Sequence, residues 1–386
     1  MIIAPDKFKG TLTAPQVAAH VAVGLRRARP SVPLVTLPVA DGGDGTVDSV
    51  TAGESAGFRR MSAMVQGPVG QPVEAFFAMG GATAIIEAAQ ACGLRRLPGG
   101  KPAPLDATSY GVGQLILAAV REGAHSIVLG LGGVACTDGG AGMVQALGVR
   151  LLDRGGAGLP PGGAALTALD HLEYAGWEVS PATPLVPVPV LVACDVDNPL
   201  LGTGGAAAVY APQKGAAPRD VAVLERGLAQ WAEVAEHALG DRYRELPGAG
   251  AAGGLGFGAL AFLGATTRPG IELLLEHLGF AKHLRGARLV ITGEGSLDAQ
   301  TMRGKAPAGV ARAAALAGIP VVAVAGVAPV TADDLHRMGI SAVYPLTRIQ
   351  PELRRCMAEA GPLLEELAER FADEWLRTGE QGAGPP

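Results

Sequence analysis

Short apolar runs, each closed by turn residues and followed by a stretch of helical periodicity, alternate along most of the 386-residue chain. Residues 1–4 predict a strand. The helix predicted at Ala14–Ala28 is entered through Thr13 as N-cap, with Pro15 in its first turn. Residues 35–39 predict a second strand, ended by a polar loop at 40–45, and Thr46–Ala52 opens another helix. The rhythm then changes. Residues 60–65, 73–79 and 82–87 are successive strand candidates, the last two joined as a hairpin through Gly80 and Gly81. Alternation resumes with a helix at 110–122, a strand at Ser126–Gly130, a helix at 139–147 and a strand at Val149–Leu152. A proline-rich approach leads to a buried-looking strand at 190–194, and 220–239 carries apolar residues at helical spacing. Residues 248–258 are glycine-rich. The last third predicts helices at 271–279, 305–317, 331–338 and 351–378 around strands at 288–292, 320–325 and 342–346, with a flexible tail at 379–386.

Near-continuous apolar strands alternating with helices imply parallel sheets covered by helices. The expected fold class is α/β with two domains. Residues 1–60 plus 265–386 form a discontinuous Rossmann-like domain, a parallel sheet with helices on both faces. Residues 61–264 form an inserted mixed α/β domain.

Composition narrows the function. Lys plus Arg is 31 against 36 for Asp plus Glu, a net charge of −5, so no basic stripe invites nucleic acid. The mean hydropathy of +0.29 supplies ample core. The four cysteines form no CxxC pair, which predicts thiols in a reducing compartment. The seven histidines show no HxH or HExxH, which argues against zinc. An acid at Asp6 and the lack of a basic start argue against a signal peptide. The apolar stretch at 317–330 is broken by Gly318, Pro320, Gly326 and Pro329, too interrupted to cross a bilayer. These features predict a cytoplasmic protein with neither nucleic-acid nor membrane partners.

In open parallel sheets ligands bind at the carboxyl ends of the strands. Five predicted strand ends run into carboxylates, most with glycines close by: Asp6-Lys7-Phe8-Lys9-Gly10, Asp41-Gly42-Gly43-Asp44-Gly45, Gly132-Gly133 through Asp138-Gly139-Gly140, Asp195-Val196-Asp197-Asn198, and Gly293-Glu294 through Asp298. Each alone is readable as a helix cap or a turn. Together they suit phosphoryl transfer. Glycines let backbone N–H groups approach phosphate oxygens, and carboxylates belong there when Mg²⁺ intervenes or a hydroxyl needs a base. Lys7, Lys9, Lys214 and Lys305 sit in such loops of a lysine-poor chain. Asp195 and Asp197 share a face if the strand continues through them, or else close an Asx-type turn. Glu294 and Asp298, four apart, lie on one side of any helical turn that begins there, unless one simply caps it.

Two glycine motifs compete. Gly248-Ala-Gly-Ala-Ala-Gly253 matches GxGxxG, but no strand precedes it. Gly130-Leu-Gly-Gly-Val-Ala135 matches GxGxxA, follows a strand, and Asp153 ends the next one, which supports an NAD-dependent dehydrogenase of a small hydroxy acid as the alternative enzyme. A non-catalytic small-acid-binding protein is the other alternative. Walker A and protein-kinase signatures are absent from the sequence.

Taken in order, the segments at 4–14, 38–46, 130–148, 193–200, 211–215, 248–258 and 291–304 resemble the bacterial glycerate kinase family, the type unrelated to P-loop and protein kinases. The chain departs from that pattern at Val134 and Ala135, where small hydroxyl residues are usual, at Ser296, where Arg is usual, and at Asp44, where Glu is usual. The resemblance implies ATP-dependent phosphorylation of D-glycerate with Mg²⁺, 2-phosphoglycerate being favoured over 3-phosphoglycerate, on a two-domain scaffold with the site in the interdomain cleft; it leaves room for a homo-oligomer. Under this resemblance Asp195, Asp197 and Lys7 are the catalytic candidates, with Asn198 in support. Glu294 and Asp298 hold Mg²⁺ or ribose. Asp6, Asp41, Asp44 and Asp138 line the site, and Lys9, Lys214, Gln213 and Lys305 bind anionic groups. Gly42 and Gly43 are further binding candidates, and the loops at Gly132–Gly133, Gly139–Gly140 and Gly253–Gly254 offer N–H donors.

Overall fold

A computed structural model describes residues 1–52, 57–174, 185–299 and 301–377. The predicted tail at 379–386 lies outside them. The strands in chain order are β1 (Ile2–Pro5), β2 (Val35–Thr36), β3 (Phe58–Gln66), β4 (Pro72–Gly80), β5 (Thr83–Glu87), β6 (Ser126–Gly130), β7 (Val149–Leu152), β8 (His171–Tyr174), β9 (Val190–Ala193), β10 (Thr266–Arg268), β11 (Val290–Ser296), β12 (Val321–Val327) and β13 (Ala342–Pro345). The chain divides into two compact units. One holds residues 1–41, 48–57 and 271 onward; the other holds 42–47 and 58–270.

The first unit is built on an all-parallel sheet of order β13-β12-β11-β1-β2. Apolar runs make its strands. Ile3, Ile291, Val322 and Val324 point to one face, where they join a core with Val17, Val21, Leu364 and Phe371 from the helices Ala14–Ala28 and Ala360–Arg377. The helix Ala306–Leu316 packs on β1, β11 and β12. Thr13 caps its helix as the sequence predicts: its hydroxyl accepts the Gln16 N–H while the Gln16 side chain accepts the Thr13 N–H. Gly24 lets the two long helices touch, since a Cβ there would stand 2.1 Å from the carbonyl oxygen of Glu365.

The second unit carries a six-stranded sheet of order β10-β9-β6-β5-β4-β3. β10, β9, β6 and β5 are parallel, and β4 and β3 are antiparallel additions. Its core centres on Trp231 of the helix Pro218–Leu239, stacked on Phe262 at 5.2 Å, with the indole N–H donating to the Gly139 carbonyl at 3.0 Å.

Three expectations fail, and the glycine-rich stretch, to which the pattern assigns no element, takes one. Val149–Leu152 does not join the parallel sheet; it pairs antiparallel with β8 in a separate two-stranded ribbon. The glycine-rich stretch forms a helix, Ala251–Leu263, almost wholly buried and so without the polar face that periodicity detects. It opens with three left-handed residues, Ala252, Gly253 and Gly254. The helix expected at 351–378 breaks at Glu359 (φ −114°, ψ 23°) into Leu353–Ala358 and Ala360–Arg377, with Pro362 in the first turn of the second. The short second strand stops at Thr36 rather than at residue 39.

Candidate functional site

In the first unit the chain order reverses between β1 and β11, and the crevice outside the carboxyl ends at such a switch point is where α/β sheets bind ligands. Asp6 follows β1, its N–H donating to the Gly293 carbonyl at 2.7 Å. Its carboxylate is only 6% exposed, accepts the Lys7 N–H at 2.6 Å and faces the Lys7 ammonium at 3.7 Å. Burial raises its pKa to about 7 against the pull of Lys7, with Asp41 and Glu294 adding repulsion.

Glu294 lies within β11 itself, so the helical turn expected to carry Glu294 and Asp298 does not exist. The pair still meets, because the chain turns back after the strand. The Thr301 hydroxyl donates to Glu294 Oε1, the Lys305 ammonium lies 3.6 Å from Oε2, and the Asp298 N–H donates to Thr301 Oγ1 at 3.0 Å. Burial raises the Glu294 pKa; Thr301 and Lys305 oppose it, and Asp298 and Asp41 reinforce it. Ser296, standing where the resemblance expects Arg, donates its hydroxyl to Asp298 at 3.1 Å. Lys9 is exposed, its backbone N beside Gly295. The structure thus gathers Asp6, Lys7, Asp41, Glu294, Asp298 and Lys305. Among the described residues no group of three or more His, Cys, Asp or Glu could hold a metal. Two hard carboxylates beside lysines fit Mg²⁺ that arrives with phosphates, which needs one or two protein carboxylates, rather than a closed cage.

In the second unit the segment Gly42–Val47 runs across the carboxyl ends of the parallel strands. Gly42 rests on Ala193 at the end of β9 and beside Gly270 after β10. Its carbonyl meets Gly130 at the end of β6, Gly43 lies on Gly132, and Asp44 comes to Gly133. Asp44 pairs with the guanidinium of Arg95 at 3.3 Å. Gly132 and Gly133 are exposed.

β9 ends at Ala193, so the strand does not carry Asp195 and Asp197 onto one face. Asp195 accepts the Gly270 N–H at 3.0 Å, at the start of the helix Gly270–His277, and Asp197 is exposed in the loop. Asn198 is committed on both ends of its amide, donating to the Gly204 carbonyl at 2.8 Å and accepting from the Tyr210 hydroxyl at 2.7 Å.

Other sequence candidates in this unit turn inward. Asp138 is buried and accepts from Ser109 N (2.7 Å), Ser109 Oγ (2.9 Å), Gly140 N and Gly142 N (both 3.2 Å). The Gly139 N–H donates to Gly253, and the Gly254 N–H donates to Gly250. Gly253 and Gly254 are buried against Cys136 and Gly139. Lys214 is fully buried, donating to the Cys136 carbonyl at 2.5 Å and to the Thr137 hydroxyl at 3.4 Å; burial lowers its pKa. Gln213 beside it is exposed. The four cysteines are thiols, with Cys92 and Cys136 sulfurs 3.8 Å apart.

The model of the glycerate kinase family matches residues 1–376. The chain belongs to the glycerate kinase family. It is therefore an enzyme, a kinase of the transferase class. It is 43% identical over 374 residues to the glycerate kinase of Bacillus subtilis (strain 168), covering 96% of each chain. It is 42% identical over 346 residues to the glycerate 2-kinase of Escherichia coli (strain K12), covering 89% of each. A crystal structure of the provisionally named glycerate kinase 2 from Salmonella typhimurium LT2 superimposes with a TM-score of 0.82 at 39% identity, over 98% of both chains.

The dehydrogenase alternative loses its structural context. Asp153, which had to end the parallel strand beside β6, ends β7 in the separate ribbon and caps its own turn, accepting from Gly155 N and Ala157 N. No helix among the described residues is long and apolar enough to cross a membrane. Sequence reasoning missed Arg95 and Thr301, which contact the candidates Asp44 and Glu294, and Glu87, which accepts the Gly45 and Val47 N–H groups beside Asp44. Only Glu87 carried a signal, a carboxylate at a strand end without glycines.

Proposed function

We propose that the chain transfers the γ-phosphate of ATP to the 2-hydroxyl of D-glycerate, yielding 2-phosphoglycerate, with Mg²⁺ as cofactor, in the cytoplasm and without nucleic-acid or membrane partners. The observation that carries this is the set at the switch point of the first sheet, Asp6, Lys7, Asp41, Glu294 and Lys305, in a chain of this family. It combines cations for anionic oxygens with carboxylates for a metal-bound phosphate. The similarity to the glycerate 2-kinase of Escherichia coli supports the 2-position.

Glu294 and Asp298 are the residues that would hold Mg²⁺, which when bound neutralises phosphate charge. Lys7, Lys9 and Lys305 bind phosphate or carboxylate oxygens. Asp195 accepts or orients the proton of the attacking hydroxyl, and its bond to Gly270 fixes its direction. Asp197 and the exposed Gly132–Gly133 turn are assigned to the same site in this reading, with Asp44 beside that turn and paired with Arg95.

The test is ADP release coupled to a reporter, with D-glycerate, L-glycerate and related hydroxy acids as acceptors. The reading expects turnover with D-glycerate that is abolished by chelating divalent cations and restored by Mg²⁺. ³¹P–¹H NMR of the product then reports the position. A 3-phosphoglycerate signal overturns the regiochemistry, and no ADP release with any acceptor overturns the activity.

A further inference from the structure

We propose that Glu87 is the positioning residue for Asp44, holding the Gly42–Val47 segment down across the carboxyl ends of the second sheet. The inference rests on the reading above in taking Asp44 as part of the site. Glu87 ends β5 and is 1% exposed. A carboxylate that deep requires donors. It finds them in the crossing segment: Oε2 accepts the Gly45 N–H at 3.2 Å and Oε1 accepts the Val47 N–H. The Gln90 amide approaches Oε2 at 3.5 Å. Gly45 and Val47 flank the first residue of the helix Thr46–Ala52, so the carboxylate sits on the positive end of that helix, borrowed from another strand as its cap.

The rest of the segment has a fitted seat. A Cβ on Gly130 would stand 2.0 Å from the Gly42 carbonyl oxygen, and one on Gly132 would stand 2.8 Å from Gly43 Cα. The segment is therefore held off by backbone below and pulled in by Glu87 at its far end. Asp44 lies between these supports, with its Cβ 3.7 Å from the Cβ position of Gly133 and its carboxylate turned to Arg95. The Thr46 hydroxyl closes the turn onto the Gly43 carbonyl at 2.7 Å. The same contacts spend the N–H groups of Gly45 and Val47, so these two donors serve Glu87 rather than a phosphate.

The test is a double-mutant cycle on kcat/KM for glycerate with Glu87→Gln and Asp44→Asn. Each single change is expected to lower kcat/KM by about tenfold or more, with KM raised in Glu87→Gln. A loss of folded protein alone would lower the apparent kcat and leave KM in place. The double variant is expected to match the worse single within about threefold. Fully additive losses would overturn the inference while leaving Asp44 in the site. Wild-type kcat/KM in Asp44→Asn would remove Asp44 from the site and overturn both. Should Glu87→Gln fail to fold, amide exchange on the wild-type protein decides: protection of the Gly45 and Val47 amides is expected, and exchange at the rate of an open loop overturns the anchor.

Discussion

The two units carry carboxylates to the ends of parallel strands and then treat them in opposite ways. In the second unit Asp138 and Glu87 are buried among backbone N–H donors, and their charge is used up inside the protein. In the first unit Asp6 and Glu294 are nearly as buried but lie within each other's field and that of Asp41, with a lysine beside each, and both have raised pKa values. Residue type is the same in the two regions: one Asp and one Glu in each. What separates a structural carboxylate from a chemically poised one is the count of N–H donors it accepts and the company of like charges.

Breaking that comparison starts with Asp138→Ala. It strands the N–H groups of Ser109, Gly140 and Gly142, and should lower stability by about 3 kcal/mol or more, read by urea denaturation. An unchanged midpoint would place Asp138 outside the anchoring class. Next comes Asp195→Asn, an exposed carboxylate that accepts the Gly270 N–H. Turnover should fall about 10²-fold with the thermal midpoint retained; wild-type kcat would exclude it as the base.

Asp6→Asn sharpens the contrast through pH. In the folded chain Asp6 holds its proton up to about 7, whereas unfolded it ionises near 3.8. Between those values the folded state binds more protons, so its stability contribution falls as pH rises through that window and levels off above it. The variant lacks this loss. Compared with wild type it should gain stability from pH 4 to 7, by on the order of 1 kcal/mol or more, and keep the gain at pH 8. Parallel stability profiles would show that Asp6 is not proton-linked to folding.

The smallest effect is expected at Glu365→Gln, away from either set. Glu365 joins the helices Ala14–Ala28 and Ala360–Arg377 through His20 at 2.7 Å and Arg27 at 2.6 Å. The His20 bond, with Arg27 in support, holds its pKa below the usual carboxylate range. Its contribution is therefore present above that range and lost as pH falls. Solvent screening keeps it under about 1 kcal/mol, and a larger loss in thermal unfolding would mark these helices as held by charge rather than by the Gly24 contact.

Much of the architecture is legible in residue pattern because buried parallel strands are continuous apolar runs: Ser126–Gly130 and the helix Ala14–Ala28 have the bounds that pattern predicts. The ribbon of β7 and β8 is not legible, since pairing partners leave no mark on a four-residue strand. Nor is the helix Ala251–Leu263, whose glycines oppose helix propensity locally and are favoured only by close packing. At the candidate site the pattern marks which loops bear carboxylates and lysines. It does not mark which of them are spent: Lys214 and Asp138 look like Lys7 and Asp6 until their partners are seen, and Thr301 and Arg95 become visible only when the chain folds back on Glu294 and Asp44.

The glycine seat beneath Gly42 and Gly43 has a consequence for how this protein can vary. Where main chain rests on main chain, a single methyl group is already an obstruction, so Gly42, Gly130 and Gly132 are closed to ordinary drift. Asp44, whose side chain leaves that seam, is the position where change is sterically cheap. Tuning of this crossing by mutation is therefore confined to charge at one point, on a support that cannot be reshaped in small steps.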